Sequence, residues 1–349
     1  MPASSDSPDR LRILQIGAGA MGTRRLRDLS ARDDVEVRLF DRRDDRRRRA
    51  AERFGVETVA TLDDGLGWEP DALVISTPPD THDPFIEVAL EHGIHHFCEE
   101  NIWTYDHRVV DRVSRERGLV SAPSCSFFFL PIIQELERVV RDELGGLHAY
   151  QMLLSTYLPN WHPDEGPEFY ARRRSTAAAR EMVPFELVWL NRVFGAPTHV
   201  AGSVKESGRL GNSSEDTWSL QLDVGKGVGQ LVVGHASPTD HRSGMAVGTN
   251  GRVAFDVFAG TITRELPELG IADHRSIGSQ AADLEQAYAA EIAAFVDAVR
   301  GAAWPHDYLA SSIATGALAA AESSARTGHR TAVDPDVQPA RLPGHRHDE

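Results

Sequence analysis

Three glycines near the N-terminus have the spacing of a phosphate-binding turn. They lie in Gly17-Ala-Gly19-Ala-Met-Gly22, after the apolar segment Leu11–Ile16 and before a segment with helical periodicity. Gly17 permits a tight turn, Gly19 lets the backbone approach a pyrophosphate, and Gly22 lets the helix pack closely against the strand. The N–H groups of the first helical turn supply partial positive charge to the phosphates. The motif therefore predicts a dinucleotide site.

Asp41 ends a second apolar segment, Val35–Phe40, nineteen residues after Gly22. A carboxylate at that place accepts hydrogen bonds from the ribose hydroxyls of an adenosine, which favours NAD. Arg42 and Arg43 follow directly and can hold a 2′-phosphate, so NADP stays an alternative, as does a glycine turn without a ligand. The motif residues predicted to bind the cofactor are Gly17, Gly19, Ala20, Met21, Gly22, Asp41 and Arg42.

These residues need a parallel sheet to position them, and strand and helix patterns alternate over the first part of the chain. This alternation predicts a doubly wound α/β domain. The predicted strands are Leu11–Ile16, Val35–Phe40, Ala72–Ser76, His95–Cys98 and Leu119–Ala122, with helices over 42–54, 83–92 and 106–117.

The pattern changes after a helix over 131–142, where long alternating strands follow one another with glycines between them. Strands without intervening helices predict an α+β domain with an open, mostly antiparallel sheet. These strands cover 148–158, 199–206, 216–224, 229–237, 251–258 and 261–264, and the final helices cover 280–300 and 308–327.

Composition excludes several classes of protein. The 349 residues carry a formal net charge of −15, which opposes binding to nucleic-acid phosphates. No run approaches the roughly 18 apolar residues of a membrane span. The N-terminus has no apolar signal region, so we expect a cytoplasmic protein. Cys98 and Cys125 lie in apolar segments and fit buried thiols in a reducing compartment; no metal site is predicted.

Four segments together resemble the Gfo/Idh/MocA family of sugar and cyclitol oxidoreductases. They are residues 13–22, residues 71–82 (Asp-Ala-Leu-Val-Ile-Ser-Thr-Pro-Pro-Asp-Thr-His), residues 93–99 (Gly-Ile-His-His-Phe-Cys-Glu) and residues 322–328 (Glu-Ser-Ser-Ala-Arg-Thr-Gly). The resemblance implies that Thr77, Pro78, His82 and Glu99 line the cofactor. Taken alone, His82 is equally consistent with a helix-capping or packing histidine.

The resemblance also implies a domain organisation and a set of partners. The substrate is a small sugar-like molecule, and the open sheet face forms a homo-oligomer, a dimer or a tetramer. We therefore expect a flexible tail (1–10), a dinucleotide-binding Rossmann domain (11–125), a domain for substrate and oligomer contacts (126–305), a C-terminal helix packed back on the Rossmann domain (306–330) and a loose tail (331–349).

The sequence departs from this family at two catalytic positions. The family's Glu-Lys-Pro reads Glu99-Glu100-Asn101 here, so Glu100 replaces the lysine that holds the substrate hydroxyl. The only lysines in the chain are Lys205 and Lys226, but a bias towards arginine would have given arginine rather than glutamate. The family's Asp-x-x-x-His aligns best with Glu181-Met-Val-Pro-Phe185, which keeps the carboxylate and loses the histidine.

These departures leave several mechanisms open. A lysine favours alkoxide character, whereas a carboxylate opposes it by charge repulsion. Protonated Glu100 can act as an acid in ketone reduction, and ionised Glu100 can stabilise an ammonium or iminium group. Alternatively, Glu100 has no chemical role, or another residue such as Glu181 or Tyr157 supplies the base.

The segment from Tyr157 to Glu165 is predicted to be a long polar loop at the substrate. Tyr157 and Trp161 can stack on a sugar ring, while His162 and Glu165 can bond its hydroxyls. A loop packed on its own aromatic side chains is the alternative. Arg180, beside Glu181, is predicted to contact the substrate as well.

Taken together, these features predict an NAD(H)-dependent oxidoreductase that acts on a hydroxyl, ketone or imine of a sugar, amino sugar or cyclitol-like compound. Glu100 and Glu181 are its predicted catalytic residues. One alternative is an enzyme that retains NAD and uses it transiently, as in an epimerase, lyase or glycosidase. The other is a non-catalytic sensor that binds a dinucleotide or sugar.

Overall fold

The chain forms two compact units. The computed structural model describes residues 10–100, 106–161, 178–210 and 215–339. The first unit comprises residues 1–124 and 288–308, and the second comprises residues 125–287 and 309–349.

The first unit contains a six-stranded parallel sheet with strand order β3-β2-β1-β4-β5-β6. This order reverses direction between β1 and β4, which is where dinucleotides bind in such sheets. The strands are β1 (Leu11–Ile16), β2 (Val35–Phe40), β3 (Glu57–Val59), β4 (Ala72–Ile75), β5 (His95–Cys98) and β6 (Ser121–Pro123). The helices between them are α1 (Ala20–Ser30), α2 (Asp44–Phe54), α3 (Leu62–Leu66), α4 (Asp83–His92) and α5 (His107–Arg117).

Alternate strand residues divide the apolar core between the two faces of this sheet. Ile13 and Val74 belong to one cluster, together with Ile292, Phe295 and Val296 of a later helix, α9 (Gln280–Val299). The opposite cluster joins the other strand residues to α4 and α5 through Leu14, Leu73, Ile86, Leu90 and Val110. Both faces are buried, as the continuous apolar strands predict.

The second unit contains a nine-stranded sheet in which β7 and β10 pair parallel and the other neighbours pair antiparallel. Its strands are β7 (Leu147–Tyr157), β8 (Pro197–Lys205), β9 (Thr217–Val224), β10 (Gly227–Gly234), β11 (Ala236–Gly248), β12 (Gly251–Asp256), β13 (Thr261–Leu266), β14 (Ile271–Ser276) and β15 (Thr331–Ala332). The open, mostly antiparallel sheet predicted from the sequence is confirmed.

Helices cover one face of this second sheet. They are α6 (Pro131–Asp142), α8 (Ala178–Phe194) and α10 (Tyr308–Thr327); a short helix, α7 (Leu158–Trp161), directly follows β7. Trp189 of α8 packs edge-on against Phe255 of β12, and α10 approaches β8 so closely that a Cβ at Gly202 would lie 2.6 Å from the Ala321 carbonyl oxygen. The other face carries Gln151, Leu153, Gln221, Val228 and Gln230, which are exposed.

Several element predictions were wrong in detail. The region predicted as one strand over 229–237 belongs to two strands. β10 ends at Gly234, and β11 begins at Ala236 and runs through the polar stretch Pro238–Gly244. This stretch lacks the apolar alternation on which the prediction rested. β14 was missed for a similar reason, and the loop predicted after Tyr157 begins instead with α7.

Residues 288–308 and most of α10 belong to different units. Residues 288–308 group with the first unit, because Ile292, Phe295 and Val296 cover its sheet. Most of α10 groups with the second unit, where the Ser324 hydroxyl accepts a hydrogen bond from the Gly202 N–H at 2.9 Å. The packing of residues 306–330 on the first unit stays a prediction.

Cys98 and Cys125 are buried free thiols, as predicted. Across the described residues, no helix combines the length and apolar character needed to cross a membrane.

Candidate cofactor site and substrate-side residues

The glycine motif forms the turn that its spacing predicts. Gly17 has φ +90°, and a Cβ there would lie 2.6 Å from the Ser76 carbonyl oxygen; a Cβ at Gly22 would lie 2.1 Å from the Gly17 carbonyl oxygen. At Gly19 the nearest atom to such a Cβ is 3.8 Å away, on Arg46. The turn is therefore tight beneath Gly17 and Gly22 and open above Gly19, where a pyrophosphate needs room.

The start of α1 and the end of β2 face the same edge of the sheet. Gly19 is the N-cap of α1 and provides no side-chain cap, while Ala20 is exposed and Met21 is half-buried. The Asp41 carboxylate accepts hydrogen bonds from the backbone N–H groups of Ala18 and Arg43, each at 2.8 Å. These two bonds fix the orientation of the carboxylate and leave lone pairs for ribose hydroxyls.

The arginines after Asp41 make their contacts on the surface. Arg43 forms two hydrogen bonds with Asp45, at 3.0 and 2.8 Å, and Arg42 is exposed. The Arg46 guanidinium lies 3.8 Å from the Asp41 carboxylate, a neighbour that sequence reasoning did not single out.

Thr77 and His82 form a second part of the site, after β4. The His82 ring is 1% exposed, and its Nε2 lies 2.7 Å from the Thr77 carbonyl oxygen, so Nε2 carries the proton. Burial lowers the pKa of His82. The ring thus fixes the turn after β4, while Pro78 is exposed. The Thr77 hydroxyl and His82 Nδ1 are buried without a hydrogen-bond partner among the described residues.

Glu99, after β5, is held by a buried arginine of α1. Arg25 donates from Nε and Nη2 to the two Glu99 oxygens at 2.9 and 3.0 Å, and Ser76 donates to the first of these oxygens at 2.9 Å. The Arg25 Nη2 also donates to Glu291 of α9 at 2.7 Å. Burial opposes the guanidinium charge, but Glu99 and Glu291 outweigh it and raise the pKa of Arg25.

The contacts of this cluster reach four parts of the first unit. Ser124, which follows β6, donates to the second carboxylate oxygen of Glu291 at 2.9 Å. The Arg25 guanidinium lies 4.8 Å from the Phe97 ring centre and 5.2 Å from that of Tyr288. Arg25 and Glu291 were missed by sequence reasoning, which treated α1 only as a phosphate-binding helix and the segment 280–300 only as a closing helix.

Glu100 is buried at the same strand end, with 8% of its surface exposed. Ile75, the last residue of β4, pairs with Cys98, the last residue of β5. Thr77 lies two residues after Ile75 and Glu100 two residues after Cys98, so both follow the same end of the sheet. Burial raises the pKa of the Cys98 thiol and the Tyr308 phenol, and the Glu100 charge raises both further. Glu100 is therefore close enough to both groups to influence their protonation.

The predicted substrate-side residues lie in the second unit. Glu181, in the first turn of α8, is half-buried, and one helical turn later Phe185 packs edge-on against Phe127 with ring centres 5.0 Å apart. Arg180 is 1% exposed, and its Nε donates to Glu322 of α10 at 2.6 Å. A charged hydrogen bond thus joins α8 to α10 beside Glu181. Arg180's predicted contact with substrate stays a prediction.

The remaining substrate-side predictions concern the segment that leaves β7. Tyr157 is the last residue of β7, and the Arg209 guanidinium lies 5.9 Å from its ring centre. Trp161 ends α7, but the placement of its side chain, like that of His162 and Glu165, lies outside what the structure describes.

A second buried ion pair lies between α8 and β11. Glu186 accepts from Arg242 Nη2 at 2.9 Å and from the Trp189 indole at 2.8 Å. Burial raises the pKa of Glu186, although Arg242 and Trp189 partly offset it. The Arg242 guanidinium lies 4.6 Å from the Phe127 ring centre, so the same aromatic ring contacts both this pair and Phe185.

The residues of the first unit fit a nicotinamide dinucleotide. The open space above Gly19, the anchored Asp41 carboxylate and the buried Thr77 hydroxyl all lie along the carboxyl edge of the sheet, where the strand order reverses. Asp41 suits the adenosine ribose, and the ends of β4 and β5 suit the second half of the ligand.

Comparison with known proteins agrees with this geometry. Residues 11–105 match the model of an oxidoreductase family with an NAD-binding Rossmann fold, the Gfo/Idh/MocA family. No curated protein matches the chain in sequence.

Solved structures resemble both units. GenD2 from gentamicin A biosynthesis, in complex with NAD, is 22% identical with a TM-score of 0.78, over 96% of this chain and 99% of that one. A myo-inositol dehydrogenase from Corynebacterium glutamicum is 23% identical with a TM-score of 0.73, over 93% and 99% of the two chains. UDP-N-acetylglucosamine 3-dehydrogenase GnnA from Acidithiobacillus ferrooxidans is 18% identical with a TM-score of 0.74, over 90% and 99%. At these identities the likeness establishes the fold.

Proposed function

We propose that the chain is an NAD-dependent oxidoreductase of the Gfo/Idh/MocA type, because residues 11–105 match the model of that family. We propose further that it reduces a ketone of a sugar, amino sugar or cyclitol-like substrate, or oxidises the corresponding hydroxyl. The observation that carries the proposal is the burial of a second carboxylate at this strand end. Glu99 is bonded to Arg25 and Ser76, and the next residue, Glu100, is 8% exposed and helps to raise the pKa of Cys98 and Tyr308.

Glu100 is the proposed acid of the reduction. NADH held by the Gly17–Gly22 turn and Asp41 would supply the hydride for the carbonyl carbon. Protonated Glu100 then gives its proton to the carbonyl oxygen, which becomes a hydroxyl, and the carboxylate regains a proton from solvent. In the reverse direction the Glu100 carboxylate takes the hydroxyl proton. General acid–base catalysis of this kind contributes typically about 10²- to 10⁴-fold to the rate.

An imine or amine substrate is the variant of this proposal in which Glu100 stays ionised. A carboxylate next to an ammonium or iminium group stabilises its positive charge. We propose Glu181, in the first turn of α8, as the residue that contacts a substrate hydroxyl or amine, with Arg180, Tyr157, Trp161 and His162 as its neighbours.

The class of substrate is proposed by similarity. The solved structures of the same fold include a myo-inositol dehydrogenase and a UDP-N-acetylglucosamine 3-dehydrogenase, which act on a cyclitol and an amino-sugar nucleotide by their names. Their names support a polyhydroxylated ring as the substrate of this chain.

Isotope transfer tests the reaction. The purified protein is denatured to identify any released dinucleotide, and fresh protein is then incubated with C4-deuterated NADH and a panel of keto-sugars and amino-cyclitols. We expect deuterium in one product class, with turnover of Glu100→Gln lowered about 10²-fold or more and its NADH affinity nearly unchanged. Glu87→Gln, an exposed residue of α4, is the matched control and should keep full turnover.

Three other results would contradict parts of this proposal. Full turnover by Glu100→Gln would exclude Glu100 as the acid. Tightly bound NAD without deuterium in any product would favour transient redox chemistry in an NAD-retaining enzyme. NADH binding without any hydride exchange, and with unchanged biological function in Glu100→Gln, would favour a sensor.

A homo-oligomer through the open sheet face is part of the same proposal. Leu153 and Val228 are 39% and 46% exposed on the central strands β7 and β10, among neutral polar side chains. A second copy of the chain can cover this uncharged face without burying ion pairs. Light scattering should give a dimer or tetramer, and Val228→Glu should give a monomer; a monomeric parent protein would exclude the oligomer.

A further inference from the structure

Arg25 connects the phosphate-binding helix to the strand ends that precede Thr77 and Glu100. It lies in α1, three residues after Gly22, and none of its side chain is exposed. The Nε and Nη2 atoms bond both oxygens of Glu99, Nη2 also bonds Glu291, and Nη1 donates to the Tyr288 carbonyl oxygen at 3.2 Å. All three guanidinium nitrogens are therefore engaged, which fixes the plane of the group.

The Glu99 carboxylate connects Arg25 to the ends of two neighbouring strands, β4 and β5. Glu99 lies directly before Glu100, after β5. Its carboxylate accepts a hydrogen bond from the hydroxyl of Ser76, which lies directly before Thr77, after β4. The backbone continues the contact, because the Glu99 N–H donates to the Ile75 carbonyl oxygen at 3.0 Å. A shift of the Arg25 guanidinium would thus move Ser76 and Glu99 together, and with them the segments that follow β4 and β5.

The two halves of the site depend on Arg25 to different degrees. The adenosine half consists of the glycine turn and Asp41, whose carboxylate is held by the backbone of Ala18 and Arg43. The second half consists of the ends of β4 and β5, which Ser76 and Glu99 hold through Arg25. In a doubly wound sheet, the two halves of a dinucleotide lie on opposite sides of the point of strand reversal.

We propose that Arg25 is a positioning residue for the nicotinamide half of the cofactor, holding the ends of β4 and β5 in register with the phosphate-binding helix. The inference rests on the binding of a nicotinamide dinucleotide and is independent of the substrate. Lysine cannot replace this function fully, because an ammonium group cannot make two parallel hydrogen bonds to one carboxylate.

Two ligands that share the adenosine half separate this role from general support of the fold. Dissociation constants of NADH and of ADP-ribose, which lacks the nicotinamide, are measured for the full-length protein without any sugar. The variants are Arg25→Lys, Glu99→Gln and the double variant, all of which keep a polar partner in the buried cluster. Arg24→Lys, the adjacent residue of the same helix, is the matched control.

We expect Arg25→Lys and Glu99→Gln each to weaken NADH binding by about 10-fold, the value of one charged hydrogen bond, and to change ADP-ribose binding by less than about 2-fold. The double variant should be no weaker than either single one, because both remove the same contact. Arg24→Lys should leave the ratio of the two constants unchanged.

Equal weakening of NADH and ADP-ribose, or no change in either, would overturn the positioning role. So would additive losses in the double variant. A parent protein that binds ADP-ribose and NADH equally well would also overturn it, because the nicotinamide half would then make no contact to position. Failure of the proposed sugar reaction would appear only in the isotope experiment and leaves these constants untouched.

Discussion

Arg25 in the first unit and Arg242 in the second are both buried, but their carboxylate partners are arranged differently. Arg25 bonds two carboxylates from separate elements, Glu99 after β5 and Glu291 of α9, and serine hydroxyls bond both of them. Arg242 bonds the carboxylate of Glu186 on α8, which it shares with a tryptophan indole.

The difference follows from what each cluster joins. Around Arg25, the acceptors come from a strand end and a helix that are distant in sequence, so the charge holds several backbone segments at one edge of the sheet. Around Arg242, the guanidinium bonds a single carboxylate, Glu186 of α8, and its other hydrogen bond goes to the neutral amide of Gln280 at the start of α9. Burial raises the pKa of Glu186, so this carboxyl can take a proton if its partner is lost. The carboxylates around Arg25 thus depend on its permanent charge, whereas Glu186 can be neutralised by a proton instead.

Removal of the Arg25 charge should have the largest effect. Arg25→Met leaves Glu99 and Glu291 near each other without this cation, and breaking a buried pair from one side costs about 3–5 kcal/mol. Denaturant unfolding measures the loss. Arg27→Met on the same helix is the control. The Arg27 side chain, which pairs with Asp28, is 40% exposed, so its removal should lower the free energy of unfolding by less than about 1 kcal/mol. Equal losses in both variants would contradict the comparison.

Loss of the Arg242 charge should cost less and should depend on pH. The folded-state pKa of Glu186 is raised, so its contribution to stability is complete at low pH and is lost as pH rises through that pKa. Arg242→Met raises this pKa further. We therefore expect the variant to lose about 2–3 kcal/mol more at pH 8 than at pH 5.

Unfolding curves at pH 5, 6.5 and 8 measure this dependence. The double variant Arg242→Met/Glu186→Gln has no carboxyl to titrate and should lose the extra slope. A pH-independent loss in Arg242→Met would show that Glu186 stays ionised.

The smallest effect should come from Ser124, which contributes one hydrogen bond to the first cluster. Ser124→Ala removes the donor at 2.9 Å from Glu291 and should cost about 1–2 kcal/mol, because a buried charged acceptor loses a neutral donor. Thermal unfolding detects a change of this size. Ser30→Ala, at the exposed end of α1, is the control. No change in Ser124→Ala would mean that Glu291 does not depend on this hydroxyl.

The parallel sheet and its glycine turn were predictable from the sequence because local rules decide them. Continuous apolar strands, a glycine that needs positive φ and an aspartate after β2 each have one structural explanation. β11 was not predictable in the same way, since its polar first half pairs with β7 only through contacts distant in sequence.

The buried charges were the least predictable part of the site. Arg25 stands among several arginines of the first sixty residues, and nothing in its neighbours distinguishes it from the exposed ones. Its burial depends on Glu291, which lies 266 residues away. A single sequence carries no record of that pairing, whereas Glu100 was found because it departs from a motif.

The first unit is formed by two separate stretches of the chain, and the order in which they are synthesised affects how this unit folds. Ile292, Phe295 and Val296, which cover one face of the parallel sheet, leave the ribosome long after Pro123 completes β6, its last strand in sequence. At typical rates of about 5–20 residues per second, the interval is roughly 10–30 s. During that time the nascent chain exposes an apolar sheet face, and Arg25 has Glu99 but not yet Glu291 as a partner, so this interval is when the first unit is most exposed to aggregation.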